Sequence, residues 1–119
     1  MHWRELEVWQ KAHAMVLEVY KLSELFPDEE RFRLTSQLCK AAVSVPANIV
    51  EGNARRSTKE YVQFLYMARG SLEETRYYTL LAKDLGYLKT AQLEQLESRG
   101  ESVSRMINAL LRALSKRSQ

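Results

Sequence analysis

Four stretches of this sequence repeat apolar residues at alternating spacings of four and three, the interval that returns a side chain to the same face of an α-helix. The first, from about Arg4 to Leu25, aligns Val8, Ala12, Met15, Val19, Leu22 and Phe26. The second, from about Glu29 to Glu51, aligns Leu34, Leu38, Ala41, Val45 and Asn48, with Ala42 and Ile49 alongside. Tyr61, Leu65, Ala68 and Leu72 carry the third, joined by Phe64 and later by Leu80, Leu81 and Leu85. Leu93, Leu96, Val103, Ile107, Leu110 and Leu114 carry the fourth from about Thr90, with Gly100 as its one weak position. No stretch reads convincingly as a strand.

The residues between these stretches are those that start and stop helices. Pro27 disfavours α geometry at Phe26 and can open the next helix, whose first turn would hold Asp28, Glu29 and Glu30 against the positive end of the helix dipole. Gly52 and Asn53 supply a stop, Ser57-Thr58-Lys59-Glu60 reads as a capping box, and Gly86 ends the third helix. Pro46 falls inside the second helix, where it removes an amide donor and crowds the carbonyl four residues back. Because the apolar pattern keeps its phase through Pro46, a continuous helix kinked there is expected over two abutting helices. Short connections between long helices make neighbours antiparallel, so the expectation is an all-α fold: an antiparallel up-down-up-down four-helix bundle filling residues 1–119 as one domain.

Several kinds of chemistry are disfavoured. Di-metal sites in bundles need Glu-x-x-His pairs, and the two histidines, His2 and His13, stand in no such pattern, so no metal is expected. Cys39 is the single cysteine, with Leu38, Lys40 and Ala41 as neighbours, and reads as a structural thiol. No glycine-rich phosphate loop occurs, and the Gly70-Ser71 pair reads as a close helix approach. No cofactor, small-molecule substrate or enzymatic activity is expected. The start, Met-His-Trp-Arg-Glu-Leu-Glu, has acids where a secretory leader has an apolar run, and no run approaches the roughly 18 apolar residues of a membrane span, so a cytoplasmic protein is expected.

The net charge of +3 is mild, but its distribution is uneven: residues 1–51 carry six basic and eight acidic groups, and residues 52–119 carry twelve and seven. Arg55, Arg56 and Lys59 cluster at the turn into the third helix, and Arg105, Arg112, Lys116 and Arg117 lie on the fourth. Arg105, Arg112 and Lys116 share a face opposite the apolar stripe, where they could follow phosphates or simply be solvated. Arg69, Arg76 and Lys83 also align, with Glu73 in reach of both arginines as an ion-pair partner. Ser44, Asn48 and Glu51 share one face of the second helix, which reads either as a buried polar network setting helix register or as a polar pocket. Trp9, Val16 and Tyr20 widen the first stripe beyond what a single core needs and suggest an oligomer interface.

Val8-Trp9-Gln10-Lys11-Ala12-His13, Phe26-Pro27, Leu34-Thr35-Ser36-Gln37-Leu38, the run Ala41 to Ile49, Glu51-Gly52, Gly70-Ser71-Leu72-Glu73-Glu74 and Leu85-Gly86-Tyr87-Leu88 follow one another in order. As a set they resemble the bacterial four-helix bundle family of 23S rRNA intervening-sequence proteins, with Cys39-Lys40 departing from the usual residues after Gln37-Leu38. The resemblance implies an antiparallel bundle, a ring-like homopentamer and no enzymatic activity, with related proteins serving as accessory subunits of reverse transcriptases. RNA or DNA bound through the basic faces is the expected partner class. The alternative is a protein partner, met through exposed aromatic positions such as Trp3, Tyr77, Tyr78 and Tyr87.

Overall fold

The structure, a computed structural model, describes residues 1–117, except for the side chain of Arg117. Four helices carry the chain: α1 (Glu7–Ser23), α2 (Leu34–Asn53), α3 (Thr58–Asp84) and α4 (Thr90–Arg117), with single 3-10 turns at Trp3–Glu5 and Asp28–Glu30 and no strand among the described residues. The molecule measures 48 × 25 × 21 Å. Each helix packs against two others, α1 on α2 and α4, and α3 on α2 and α4, which closes a four-cornered bundle.

Side-chain pairs across the seams give the relative directions. On α2 and α3, Ser44 meets Ser71 while Asn53, further along, meets Tyr61, further back. On α3 and α4, Arg69 meets Asn108 while Arg76 meets Glu101. Rising numbers pair with falling ones in both cases, so these neighbours run in opposite directions. Two apolar clusters fill the interior. One joins Val8 and Met15 to Ile49, Leu65, Leu72, Ile107 and Leu114, and the other joins Val19, Leu22 and Phe26 to Leu34, Leu38, Ala82, Leu88 and Leu96. The first half of α1 therefore shares an end with the last half of α2, the first half of α3 and the last half of α4.

Helix α2 is continuous through Pro46, itself buried. Its start differs from the sequence expectation. The acids Asp28, Glu29 and Glu30 form a separate 3-10 turn, Arg33 takes a non-helical conformation, and the helix begins at Leu34. Glu30 then turns back as a cap, its Oε1 accepting from the Leu34 amide at 3.4 Å. At α3 the Ser57 hydroxyl accepts from the Glu60 amide at 3.1 Å, but no hydrogen bond returns from the Glu60 carboxylate, so half of the expected box forms. Gly86 at φ +87° closes α3: its amide donates to Lys83 and the Tyr87 amide donates to Ala82, a paired closure that needs the left-handed backbone glycine accepts.

Two flanks of the stripes were assigned to the wrong residues by periodicity alone. Leu80 and Leu85 are exposed, and the buried line of α3 continues instead through Thr75, Thr79 and Ala82. The threonines tolerate burial because their hydroxyls donate to the Ser71 and Arg76 carbonyls of their own helix, at 2.8 and 2.9 Å. On α4 it is Leu111 that is buried, with Leu110 half-buried beside it.

The glycines also change roles. Gly52 lies within α2, buried, where an added Cβ would come within 2.9 Å of both Phe64 Cβ and Tyr61 Cδ1, so it permits the approach of α2 to α3. Gly70 is exposed with nothing within 4 Å of an added Cβ, so no close approach occurs there. Gly52→Ala is expected to destabilise the protein by about 1–3 kcal/mol, because Phe64 Cβ is held by backbone and cannot swing aside. Gly70→Ala should stabilise it by roughly 0.5–1 kcal/mol through helix propensity. Chemical denaturation of the two variants measures both, and equal effects would contradict this packing.

Candidate functional site

Arg55 and Arg56 occupy the connector 54–57, Lys59 is in the first turn of α3, and Arg105, Arg112 and Lys116 project from α4; all six are exposed. Arg117 ends α4, its side chain lying outside the described residues. The antiparallel pairing brings the start of α3 beside the end of α4, so Arg55, Arg56, Lys59, Arg112 and Lys116 gather at one end of the bundle, with Arg105 about 10 Å back from Arg112 along α4. None of the six takes part in an ion pair among the described residues. The Arg55 guanidinium lies over the Phe64 ring at 4.6 Å, which steadies it without neutralising it.

Charge is segregated along the molecule. The parts of α3 and α4 that reach this end, residues 52–72 and 102–119, hold Arg55, Arg56, Lys59, Arg69, Arg105, Arg112, Lys116 and Arg117 against Glu60, and the parts of α1 and α2 that share it, residues 1–15 and 44–51, add Arg4 and Lys11 with Glu5, Glu7 and Glu51. Residues 16–43 and 73–101, which build the opposite half, hold eleven carboxylates, among them Glu24, Asp28, Glu29, Glu30, Asp84, Glu94, Glu97 and Glu101, against eight cations. The row Arg69, Arg76 and Lys83 divides accordingly. Arg76 pairs with Glu73 at 3.2 Å and Glu101 at 3.7 Å, and Lys83 sits 3.9 Å from Asp84. Arg69 does not pair with Glu73, as its spacing suggested, but donates to Asn108 Oδ1 at 3.1 Å and lies 4.7 Å over the Tyr66 ring.

Between α3 and α4 at the basic end runs an open groove of about 460 Å³ lined by Lys59, Val62, Gln63, Tyr66, Leu111 and Ser115. Sequence reasoning missed it, because Val62, Gln63 and Tyr66 lie on the flank of a stripe and their partners are about fifty residues away. A second open groove of about 460 Å³ lies on the α1–α2 face, lined by Tyr20, Ser36, Cys39, Lys40, Val43 and Ser44.

The polar face of α2 forms a network that differs in one member from expectation. Asn48 Nδ2 donates to the Ser44 carbonyl at 2.8 Å and to Ser44 Oγ at 3.0 Å, and Ser71 Oγ of α3 donates to Ser44 Oγ at 3.0 Å. Glu51 is exposed and takes no part; Ser71 stands in its place, because Ser44 and Asn48 turn toward α3 whereas Glu51 turns to solvent. Of the three residues expected at an oligomer interface, Val16 is consumed by the chain's own core and Trp9 is half-buried, its ring stacked on His13 at 4.9 Å. Tyr20 stays on the surface at 48% exposure, near the similarly exposed Leu17 and Val43. Among the four aromatics considered for partner binding, Tyr77 is exposed, while Trp3, Tyr78 and Tyr87 are half-buried. The Cys39 thiol faces the Ser23 hydroxyl at 3.7 Å. The described residues contain no cluster of three or more His, Cys, Asp or Glu able to hold a metal, and no helix long and apolar enough to cross a membrane.

Fold and charge together define an all-α four-helix protein with one cationic end. The chain belongs to the 23S rRNA-intervening sequence protein family, which it matches over residues 4–109. It is also similar to the crystal structure of a protein of unknown function from the S23 ribosomal protein family of Bacteroides thetaiotaomicron, with a TM-score of 0.81 and 20% identity across 87% of this chain and 97% of that one. At that identity the likeness speaks to the fold. No curated protein matches the sequence.

A titratable pair joined by a hydrogen bond lies at the opposite end of the bundle from Arg55 and Arg112. Tyr87 donates to Glu30 Oε2 at 2.7 Å. That bond lowers the Glu30 pKa from its ordinary 4.5, outweighing the upward push of burial, with the Leu34 amide and Arg33 assisting. The same bond, then burial and the charges of Glu30 and Glu29, raise the Tyr87 pKa above 10.0. Glu30 therefore contributes stability that is full above pH 4.5 and lost as pH falls through its lowered value. Tyr87 contributes stability that is full below pH 10.0 and lost as pH rises through its raised value. Tyr87→Phe should lower the melting temperature most between those limits, with the gap to wild type narrowing in stronger acid and stronger alkali. Thermal melts across a pH series check this, and a pH-independent gap would refute the coupling.

Proposed function

We propose that this protein is a non-enzymatic, cytoplasmic, oligomeric binding protein that engages RNA through its basic end. The observation that carries the reading is the segregation of charge: ten cations against four carboxylates in residues 1–15, 44–72 and 102–119, the segments that meet at that end, with the exposed cations free of ion pairs among the described residues. Cations already paired would have to exchange a carboxylate for a phosphate, with little net gain. Unpaired ones release counterions from the polyanion, which drives binding. The family description names 23S rRNA, which favours RNA over DNA as the polyanion. A homo-oligomer, a pentamer on the family resemblance, would present several copies of this end to one strand and turn modest individual affinities into useful avidity.

A second reading, a protein-interaction adaptor or accessory subunit such as one of a reverse transcriptase complex, is favoured by the groove between α1 and α2. There Tyr20 and Val43 are 48% and 40% exposed, more apolar surface than one chain uses.

Binding to structured RNA over a salt series separates the two. The log of affinity should fall linearly with the log of salt. Arg112→Glu with Lys116→Glu should reduce the slope by about 0.7–0.9 for each phosphate no longer neutralised, and cut affinity at least about tenfold near physiological salt. Lys89→Glu, at the acidic end, should change little. Undetectable or salt-independent binding by the assembled protein would sink the RNA reading, and capture of a protein partner insensitive to nuclease would support the adaptor.

A further inference from the structure

We propose that the α3–α4 groove seats an unpaired nucleobase, so that the form of RNA received at the basic end is a single strand. This rests on the nucleic-acid reading above and specifies its ligand. The groove has the parts a splayed base requires. Its floor is apolar, with Leu111 buried and Val62 half-buried, and its volume of about 460 Å³ falls within the roughly 300–1,000 Å³ of small-molecule sites. Tyr66 lines it with an aromatic ring that is 49% exposed. That ring is held in place: the Arg69 guanidinium lies 4.7 Å over it and is itself pinned by Asn108 at 3.1 Å. Gln63 brings an amide, donor and acceptor both, able to meet a base edge.

The rim supplies the complementary charge. Lys59 lines one wall, and Arg112, next in sequence to the wall residue Leu111, is exposed on α4. Glu60 is the one acid nearby in sequence; from Tyr61 to Leu72 and from Ser102 to Gln119 there is none. A duplex keeps its bases stacked and offers phosphates alone, for which an aromatic and apolar groove is of no use. An unpaired base offers a π-face to Tyr66 and leaves its phosphate to the Lys59 wall.

Fluorescence anisotropy of the full-length assembled protein tests this with three labelled RNAs of about ten nucleotides: a single strand, the same strand with central abasic sites, and the duplex. The single strand should bind tightest. Tyr66→Ala should weaken it by about 5- to 100-fold with the salt slope unchanged, and Tyr66→Phe should restore it to within about twofold. Because Tyr66 is on the surface, the alanine variant should fold as the parent does, which circular dichroism verifies. Equal affinity for strand, abasic strand and duplex, with Arg112→Glu and Lys116→Glu alone weakening all three, would overturn the groove and leave the basic end standing. Failure of all three RNAs to bind would overturn both.

Discussion

The seam between α2 and α3 governs where everything else falls. Gly52 lets the backbones approach until an added methyl group would strike Phe64 and Tyr61, and one helical stretch away Ser71 reaches across to Ser44. An apolar seam tolerates sliding, because one aliphatic neighbour resembles the next. A hydroxyl pair at 3.0 Å backed by Asn48 favours one register, since shifting either helix gives up that bond at a part-buried seam. With α2 and α3 locked in register, the connector 54–57 is held at the end of the bundle, and Arg55, Arg56 and Lys59 are presented there.

The rest of the bundle extends this frame. α4 lies antiparallel against α3, with Arg69–Asn108 and Arg76–Glu101 bridging the two, so the last turns of α4 come to rest beside the first turns of α3. The cations of both segments accumulate at one end. At the other, where repulsion among acids would be costly, Glu30 is satisfied by Tyr87, by the Leu34 amide and by Arg33. Glu30 is thus bonded within the chain, while Arg55, Arg56, Lys59, Arg105, Arg112 and Lys116 take no ion-pair partner among the described residues.

The family match over residues 4–109 agrees with the resemblance in sequence, and the structural likeness agrees on the fold. The stripes Val8 to Phe26 and Leu34 to Val45 are buried as spacing required, because each residue on them sits at the centre of a helix face. Errors fell on the flanks. Leu110 and Leu111 are about 100° apart on a helix wheel, and either could complete the α4 stripe. Leu80 and Leu85 drew attention by hydrophobicity, while the buried positions belong to Thr75 and Thr79, whose hydroxyls are satisfied within their own helix. Val16 looked surplus to one core because the second cluster, centred on Phe26, Leu38 and Leu96, could not be foreseen from α1 alone.

The sequence by itself determined the number of helices, the phase of their central stripes and the ends at Ser57 and Gly86, because periodicity, capping and left-handed backbone are properties of a few neighbouring residues. Tertiary structure alone decided that Ser44 and Asn48 would be completed by Ser71 and not by Glu51, that Glu30 would cap α2 in company with Tyr87, and that Lys59 and Tyr66 would share a groove with Leu111 and Ser115. Those pairings join residues twenty-seven to more than fifty positions apart. Which flank of a helix meets which neighbour is set by how the four stripes close on one another, a condition that no single stripe contains.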